Sequence, residues 1–347
     1  MSVQFLKVLR PGILSTVQDT GRFGYQRLGY TQSGAMDDFA LRIGNRLVGN
    51  PENEAGLELT YIDEKFLFAC DAIIAITGAD YYPEINGKVV PMWQSLLVKK
   101  DSIISFPDWK YGARAYICVR GGLDVKPVLN SKSTDLKSTF GGYMGRKLRA
   151  GDVLSIPGVD LTSDYIGRCF PEELIYNNYR WHDCPLSIRV TLGPERDNYT
   201  EKSYKTLLES EYEISEKLDR QGYQLKGLRI EHSSKGPNII TNFTSLGAVQ
   251  VPGAGNPIIL MKDRQTTGGY AKIANVISPD ISKLAQRGMG DKILFESVDI
   301  SQTRELFIEQ ENIISKTELR PARRCISFRV QINDDSYTVD VEKVDCQ

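Results

Sequence analysis

Four short stretches of this chain gather side chains that handle charge and protons. The first, "VQDTGRFGYQ" at residues 17–26, carries Gln18, Asp19, Arg22 and Tyr25, and "SGAMDD" adds Asp37 and Asp38 shortly after. A carboxylate can move protons, a guanidinium can neutralise an anion, and a tyrosine can bury its ring while its hydroxyl pairs. That density exceeds what a chain reversal needs. In the second stretch, "RGGLDV", Arg120 closes an apolar run ahead of two glycines. The third, "SKSTDL", supplies Ser133, Thr134 and Asp135. Backbone N–H groups in such loops cradle anions, although the same residue types also close ordinary polar turns. The fourth is the sharpest: in "LMKDRQTTGGY", Lys262, Asp263, Arg264, Gln265, Thr266 and Thr267 run straight into Gly268 and Gly269. A hairpin tolerates the glycines but does not need six consecutive polar groups.

Several chemistries are excluded. No GxxxxGK followed by Ser or Thr, no GxGxxG after a strand, no HExxH and no GxSxG occurs. The two histidines, His182 and His232, lie in polar, irregular surroundings and are expected at the surface, which argues against a histidine triad. Cys70, Cys118, Cys169, Cys184, Cys325 and Cys346 are scattered without a CxxC pair, so neither a disulfide scaffold nor a metal site is expected. Chemistry must rest on Asp, Glu, Arg, Lys, Tyr and Thr, or on another chain.

With 43 basic against 44 acidic residues, no broad field favours nucleic acid or an anionic membrane. The N-terminus lacks the apolar core of a secretory signal, and no stretch approaches the ~18 apolar residues of a membrane span. A cytoplasmic location is expected. At 347 residues and 41% apolar content, two domains can each bury a core.

The elements that must position these groups read mainly as strands. "DAIIAITGAD", "SLLVKKDSIISF", "ARAYICVRGG" and "GDVLSIPG" are short, rich in β-branched and aromatic residues, and bounded by Gly, Pro or Asp. Met36, Phe39, Ala40, Ile43 and Leu47 recur at helical spacing before Gly49 and Pro51. Further helices are expected over Ser203–Leu208 and from about Ile300 to Ile314. A terminal hairpin turns at "NDDS". The pattern RxGYQxxG occurs at Arg22–Gly29 and again at Arg220–Gly227, and in each half a GGY is followed by a GD that opens a strand. Two echoes in the same order indicate a duplication into two similar β-barrels, at residues 1–165 and 186–298. An irregular, aromatic connector would fill 166–185, and a helix with a ribbon 299–347.

These stretches, together with "GGYMGRKLRAGD", "VTLGPERD" and "VQVPGAGNPIILMKDRQTTGGYAKIANVI", resemble the allophanate hydrolase subunit 2 family. It is also called the biotin-dependent carboxyltransferase family, and includes the Kip antagonist and the C subunit of 5-oxoprolinase. The resemblance runs from about Phe5 to Ser297, with Gln221 standing where the family carries methionine. It implies a mainly β fold of two cyclophilin-like β-barrels with a few helices. For a chain of this length it also implies the role of that C subunit: opening the lactam of 5-oxoproline to glutamate with ATP, alongside a Kip inhibitor-like B subunit and an A subunit. ATP would be shared with a partner subunit; no covalent biotin is expected. Alternatives are carboxyl transfer from biotin to urea or a similar amide, and regulation through binding a Kip inhibitor-like protein.

Carried onto this sequence, the resemblance implies that Asp19, Arg22, Tyr25, Asp263, Gln265 and Thr266 take part in the chemistry. Gln18, Asp37, Arg120, Ser133, Thr134, Asp135 and Thr267 would bind substrate. Arg22 and Arg120 would hold phosphate or carboxylate, Asp19 or Asp263 would move protons, and Gln265 with Thr266 would orient the amide.

Overall fold

Alternating apolar positions pair the strands of the first half into two sheets that share one core. In the computed structural model, which describes residues 4–61, 63–179, 183–321, 325–332 and 335–342, one sheet has six strands and the other five. Leu6, Val8, Phe66 and Phe68 from the first sheet face Leu57, Leu59, Ile74, Ile76 and Ile117 from the second. The second half closes fully. Its seven strands form a barrel ordered Leu186–Leu192, Lys272–Val276, Ala248–Gln250, Ile258–Leu260, Gly222–Lys226, Glu211–Leu218 and Lys292–Ser297. The mainly β fold expected from the sequence is present. His182, Cys346 and residues 333 and 334 of the terminal hairpin turn lie outside the described residues.

The two halves share a local signature that the GD echo announces. Gly151 and Gly290 adopt φ of 91° and 89°, a left-handed bend that glycine takes without strain. Gly151 N–H donates to the Val8 carbonyl at 2.8 Å, and Val8 N–H returns a bond to Asp152 O at 2.8 Å. Gly290 and Asp291 bracket Ile214 in the same way, at 2.9 Å each. The RxGYQ echo, by contrast, folds two ways. The first copy is a loop ending in a short helical turn at Gln26–Leu28, with Tyr25 half-buried; the second enters the barrel strand Gly222–Lys226, with Tyr223 fully buried. The GGY echo diverges too, as a loop at 141–143 but a strand at Thr267–Tyr270.

Five helices occur among the described residues. Helix α1 (Asp38–Val48) starts at Asp37, whose carboxylate accepts from Ala40 N–H at 3.0 Å, and stops at Gly49 with φ of 74°. Helix α2 (Glu172–Tyr179) lies in the segment read as irregular. There the sequence offers only one turn of apolar spacing, Ile175 and Tyr179 being its buried residues. Helices α3 (Glu201–Glu209) and α5 (Ile300–Lys316) extend the two expected spans slightly. Helix α4 (Ser278–Ala285) escapes a periodicity reading because it is eight residues long and buried on nearly every side. None of the helices is long and apolar enough to cross a membrane.

Contacts between the halves are polar as well as apolar. Met36 of the first half joins the core of the barrel. Gln286, just after α4, fills an irregularity in strand Tyr111–Val119: its carbonyl accepts from Ala113 and Arg114 N–H at 3.0 Å each, and its amide donates to Arg114 O at 2.8 Å. His232 is half-buried rather than at the surface, its Nε2 lying 2.9 Å from Val251 O beside the Tyr199 ring.

One buried acid makes the first half sensitive to pH. Glu64 is inaccessible to solvent and packs so closely on Gly12 that a Cβ there would lie 2.1 Å from its Oε1. Burial pushes its pKa up from 4.5 to about 8, outweighing its contacts with its own backbone and the Ser15 hydroxyl. An unfolded chain releases this proton near 4.5 whereas the folded chain keeps it to about 8, so rising pH erodes stability across that window. Glu64→Gln is expected to flatten this decline and to raise the melting temperature at pH 8 by several degrees. Thermal melts of both proteins between pH 5 and pH 9 check it.

Candidate functional site

Two neighbouring strands of the five-stranded sheet, Gly56–Thr60 and Tyr111–Val119, set Glu58 opposite Tyr116 and Thr60 opposite Arg114. Leu57, Leu59, Ala115 and Ile117 alternate with them and fill the core. With a side-chain period of two, Glu58, Thr60, Arg114 and Tyr116 therefore project from the other face. That face meets the barrel.

There Arg220 crosses between the halves. Its Nε donates to Asp263 Oδ2 at 2.9 Å, and Nη2 donates to Asp263 Oδ1 at 3.2 Å and to Gly34 O at 2.6 Å; Nη1 reaches Glu58 Oε1. The other Glu58 oxygen accepts from Met36 N–H and from the Tyr116 hydroxyl, both at 2.7 Å. Asp37 N–H donates to that hydroxyl at 2.9 Å, while the Asp37 carboxylate accepts from Tyr179 at 2.7 Å and from Gln286 at 2.6 Å. Burial disfavours the Arg220 charge, but Asp263 and Glu58 more than offset it and hold its pKa above the usual value. Asp263 is pushed up by burial despite Arg220, and burial lifts Asp37 to about 6.

Above this network lies a cleft of about 450 Å³, contributed by both halves. Arg114, Arg220, Asp263 and Thr60 line it, with Lys137 and Asp219 also in the lining. A neighbouring hollow of about 290 Å³ shares Asp219 and Gln221 with the cleft and presents the amides of Gln224, Gln250 and Gln265. The arrangement can bind a small polar molecule: cations and two carboxylates in the cleft, amide donors and acceptors beside it.

Of the residues singled out from sequence, Asp263 lines the cleft and Gln265 the adjoining hollow, where its amide meets Gln250 Oε1 at 3.4 Å. Several others form a buried seam that runs to the same place. The Asp19 carboxylate accepts from Gly21 N–H and the Ser131 hydroxyl at 2.8 Å, from Lys132 N–H at 2.6 Å, and from Ser133. Thr134 O accepts from Gln18 at 3.2 Å and from the Ser33 hydroxyl at 2.7 Å, and Ser33 N–H donates to Lys262 O at 3.2 Å, next to Asp263. Asp135 is buried, accepting from Thr31 at 2.5 Å. Arg22 is sealed between the Phe140 ring and the carbonyls of Val128 and Ser133, and burial lowers its pKa.

Four residues stand apart from the cleft. Arg120 stacks on Tyr165 and donates to Val48 O at 2.9 Å, at the end of α1 opposite Asp37 and thus about 16 Å along the helix. Tyr25 is half-buried, and its hydroxyl accepts from Asn130 at 3.0 Å. The Thr266 carbonyl accepts from Thr244 N–H at 3.1 Å, and Thr267 is exposed at the start of its strand.

Sequence reasoning passed over Glu58, Thr60, Arg114 and Arg220. A signal existed: in "GLELT" and "ARAYICV", charged or polar residues alternate with apolar ones inside strands too apolar to face water.

The fold and this inter-half site define a class. Residues 28–297 match the family described as carboxyltransferase domain, subdomain A and B, and the chain belongs to it. It is 37% identical over 295 residues to a protein named as the C subunit of 5-oxoprolinase from Haemophilus influenzae, a match covering 84% of this chain and 91% of that protein. The protein of the same name from Escherichia coli is 35% identical, over 88% of this chain and 97% of its own length. Among solved structures, the Kluyveromyces lactis urea carboxylase superposes with a TM-score of 0.84 at 28% identity, over 98% of this chain but 32% of that one.

Removing one partner of a buried ion pair strands the other charge, at a cost of about 3–5 kcal/mol. Asp263→Ala is expected to lose stability on that scale, and Arg220→Met combined with Asp263→Ala to lose less than the sum of the two single changes. Urea denaturation of the three variants measures both.

Proposed function

We propose that this chain acts as the C subunit of an ATP-dependent 5-oxoprolinase, working with the A and B subunits to open 5-oxoproline to glutamate. The observation that carries this reading is end-to-end correspondence: the chain matches 91% and 97% of the length of two proteins bearing that name. The cleft suits the reading chemically. A lactam carbonyl is unreactive until its oxygen is phosphorylated; water can then add, the ring C–N bond opens, and a second water releases phosphate. In this scheme the cleft holds the small amide, Asp263 handles protons, and Gln265 orients the lactam from the adjoining hollow. In the same scheme Asp19, whose carboxylate accepts from four donors, would position the Ser131–Thr134 loop. Because the chain has no phosphate-loop sequence, ATP would sit at the border with a partner subunit.

A second reading, biotin-dependent carboxyl transfer to a urea-like amide, draws on the likeness to urea carboxylase across nearly the whole chain. The two readings separate in one assay. The chain mixed with its A and B partners is expected to release glutamate from 5-oxoproline only when ATP is present, without need of bicarbonate. Asp263→Asn should lower that rate at least a hundredfold. Turnover that requires bicarbonate and a biotinylated partner would favour carboxyl transfer instead.

A further inference from the structure

The guanidinium groups of Arg220 and Arg264 are committed, whereas one edge of Arg114 is not. Arg220 donates to Asp263, Glu58 and Gly34. Arg264 is turned to the carbonyls of Thr244 and Met261 and to Gln32. Arg114 is 4% exposed and lines the cleft; its Nη1 donates to the Tyr223 hydroxyl at 2.7 Å and to Ala285 O, but its buried Nε has no acceptor. Directly across the ladder, Thr60 is 7% exposed and lines the same cleft, and its Oγ1 is buried without a partner.

Two orphaned polar atoms, one on each residue of a single cross-strand pair, are costly, since each forgoes the hydrogen bond that water would give it. Each can donate a hydrogen, so the missing partner is an acceptor. Charge narrows its identity. Arg114, Arg220 and Lys137 are balanced by Glu58, Asp263 and Asp219 before any ligand arrives, so a dianionic phosphate would leave two charges uncompensated and a single carboxylate only one. A guanidinium edge and a hydroxyl also match the planar spread of a carboxylate.

We propose that Arg114 and Thr60 form the subsite that binds the carboxylate of a small monoanionic substrate, fixing its orientation in the cleft. For 5-oxoproline, the ring amide would then extend toward Asp263 and the glutamine-lined hollow. This placement rests on the 5-oxoprolinase reading, but carboxylate recognition itself can be tested without turnover.

Thr60→Val keeps the shape of the side chain and removes an unsatisfied hydroxyl, so it should melt no lower than the wild-type chain. Calorimetric titration of the full chain with 5-oxoproline and with its neutral carboxamide is expected to show the acid binding at least tenfold tighter. Thr60→Val should cut that preference several-fold, and Arg114→Lys should cut it further. In the assembled enzyme the same loss would appear in KM more than in kcat, and in the acid-to-amide ratio of kcat/KM. A wild-type chain that binds acid and amide equally, or a preference untouched by Thr60→Val, overturns the subsite. An assembly without ATP-dependent turnover whose chain still prefers the acid would overturn the 5-oxoprolinase reading alone.

Discussion

One guanidinium holds the two halves of this molecule in register. Arg220 leaves the barrel, satisfies both oxygens of Asp263 from its own half, and reaches Glu58 and the Gly34 carbonyl in the other. A buried ion pair of this kind contributes little net stability, because desolvation of the charges consumes most of the Coulombic gain. Its value is specificity. Sliding one half against the other by a single residue would strand charges that have no alternative partner, so only one docking is acceptable. The cleft exists because that docking leaves Thr60 and Arg114 facing Asp263 across a gap.

Around this contact the polar groups form a connected series rather than isolated pairs. Asp37 caps α1 and at the same time accepts from Tyr179 and Gln286, so the start of one helix, the end of α2 and the segment after α4 meet on one carboxylate. Ser33 ties the Thr134 carbonyl to the Lys262 carbonyl, joining the loop that holds Asp19 to the loop that carries Asp263. Groups locked in this way cannot reorganise cheaply, which is what a preorganised site requires. It also explains why so many residues that look reactive in the sequence are engaged in holding others in place.

The strand-rich fold and α1 were legible because they depend on local spacing. The GD echo survives as the same two-bond bracket in both halves, since a left-handed glycine is a local requirement. The RxGYQ echo misleads because Tyr25 and Tyr223 have different tertiary surroundings, one beside a loop and one inside a barrel. Sequence crowding pointed to Asp263 and Gln265, which line the cleft and its adjoining hollow, but not to Arg114 or Glu58, which are single charges set in apolar strands. The partners that join them to the other half, Tyr223 for Arg114 and Arg220 for Glu58, are more than 100 residues away in the chain, and no local window contains both. Arg120, next to paired glycines, reads in the sequence as an anion site; in the fold it stacks on Tyr165 and donates to the Val48 carbonyl at the C-terminus of α1.

Gln286 carries an implication for how the chain is made. Two amide hydrogens and one carbonyl of strand Tyr111–Val119 pair with this side chain from the far half. During synthesis from the N-terminus the first core can condense early, but the outward face of its sheet stays wet until residue 286 emerges from the ribosome. The barrel is thus the late-arriving cover that dries the strand, and nascent first halves are the form most exposed to misassociation in the interval.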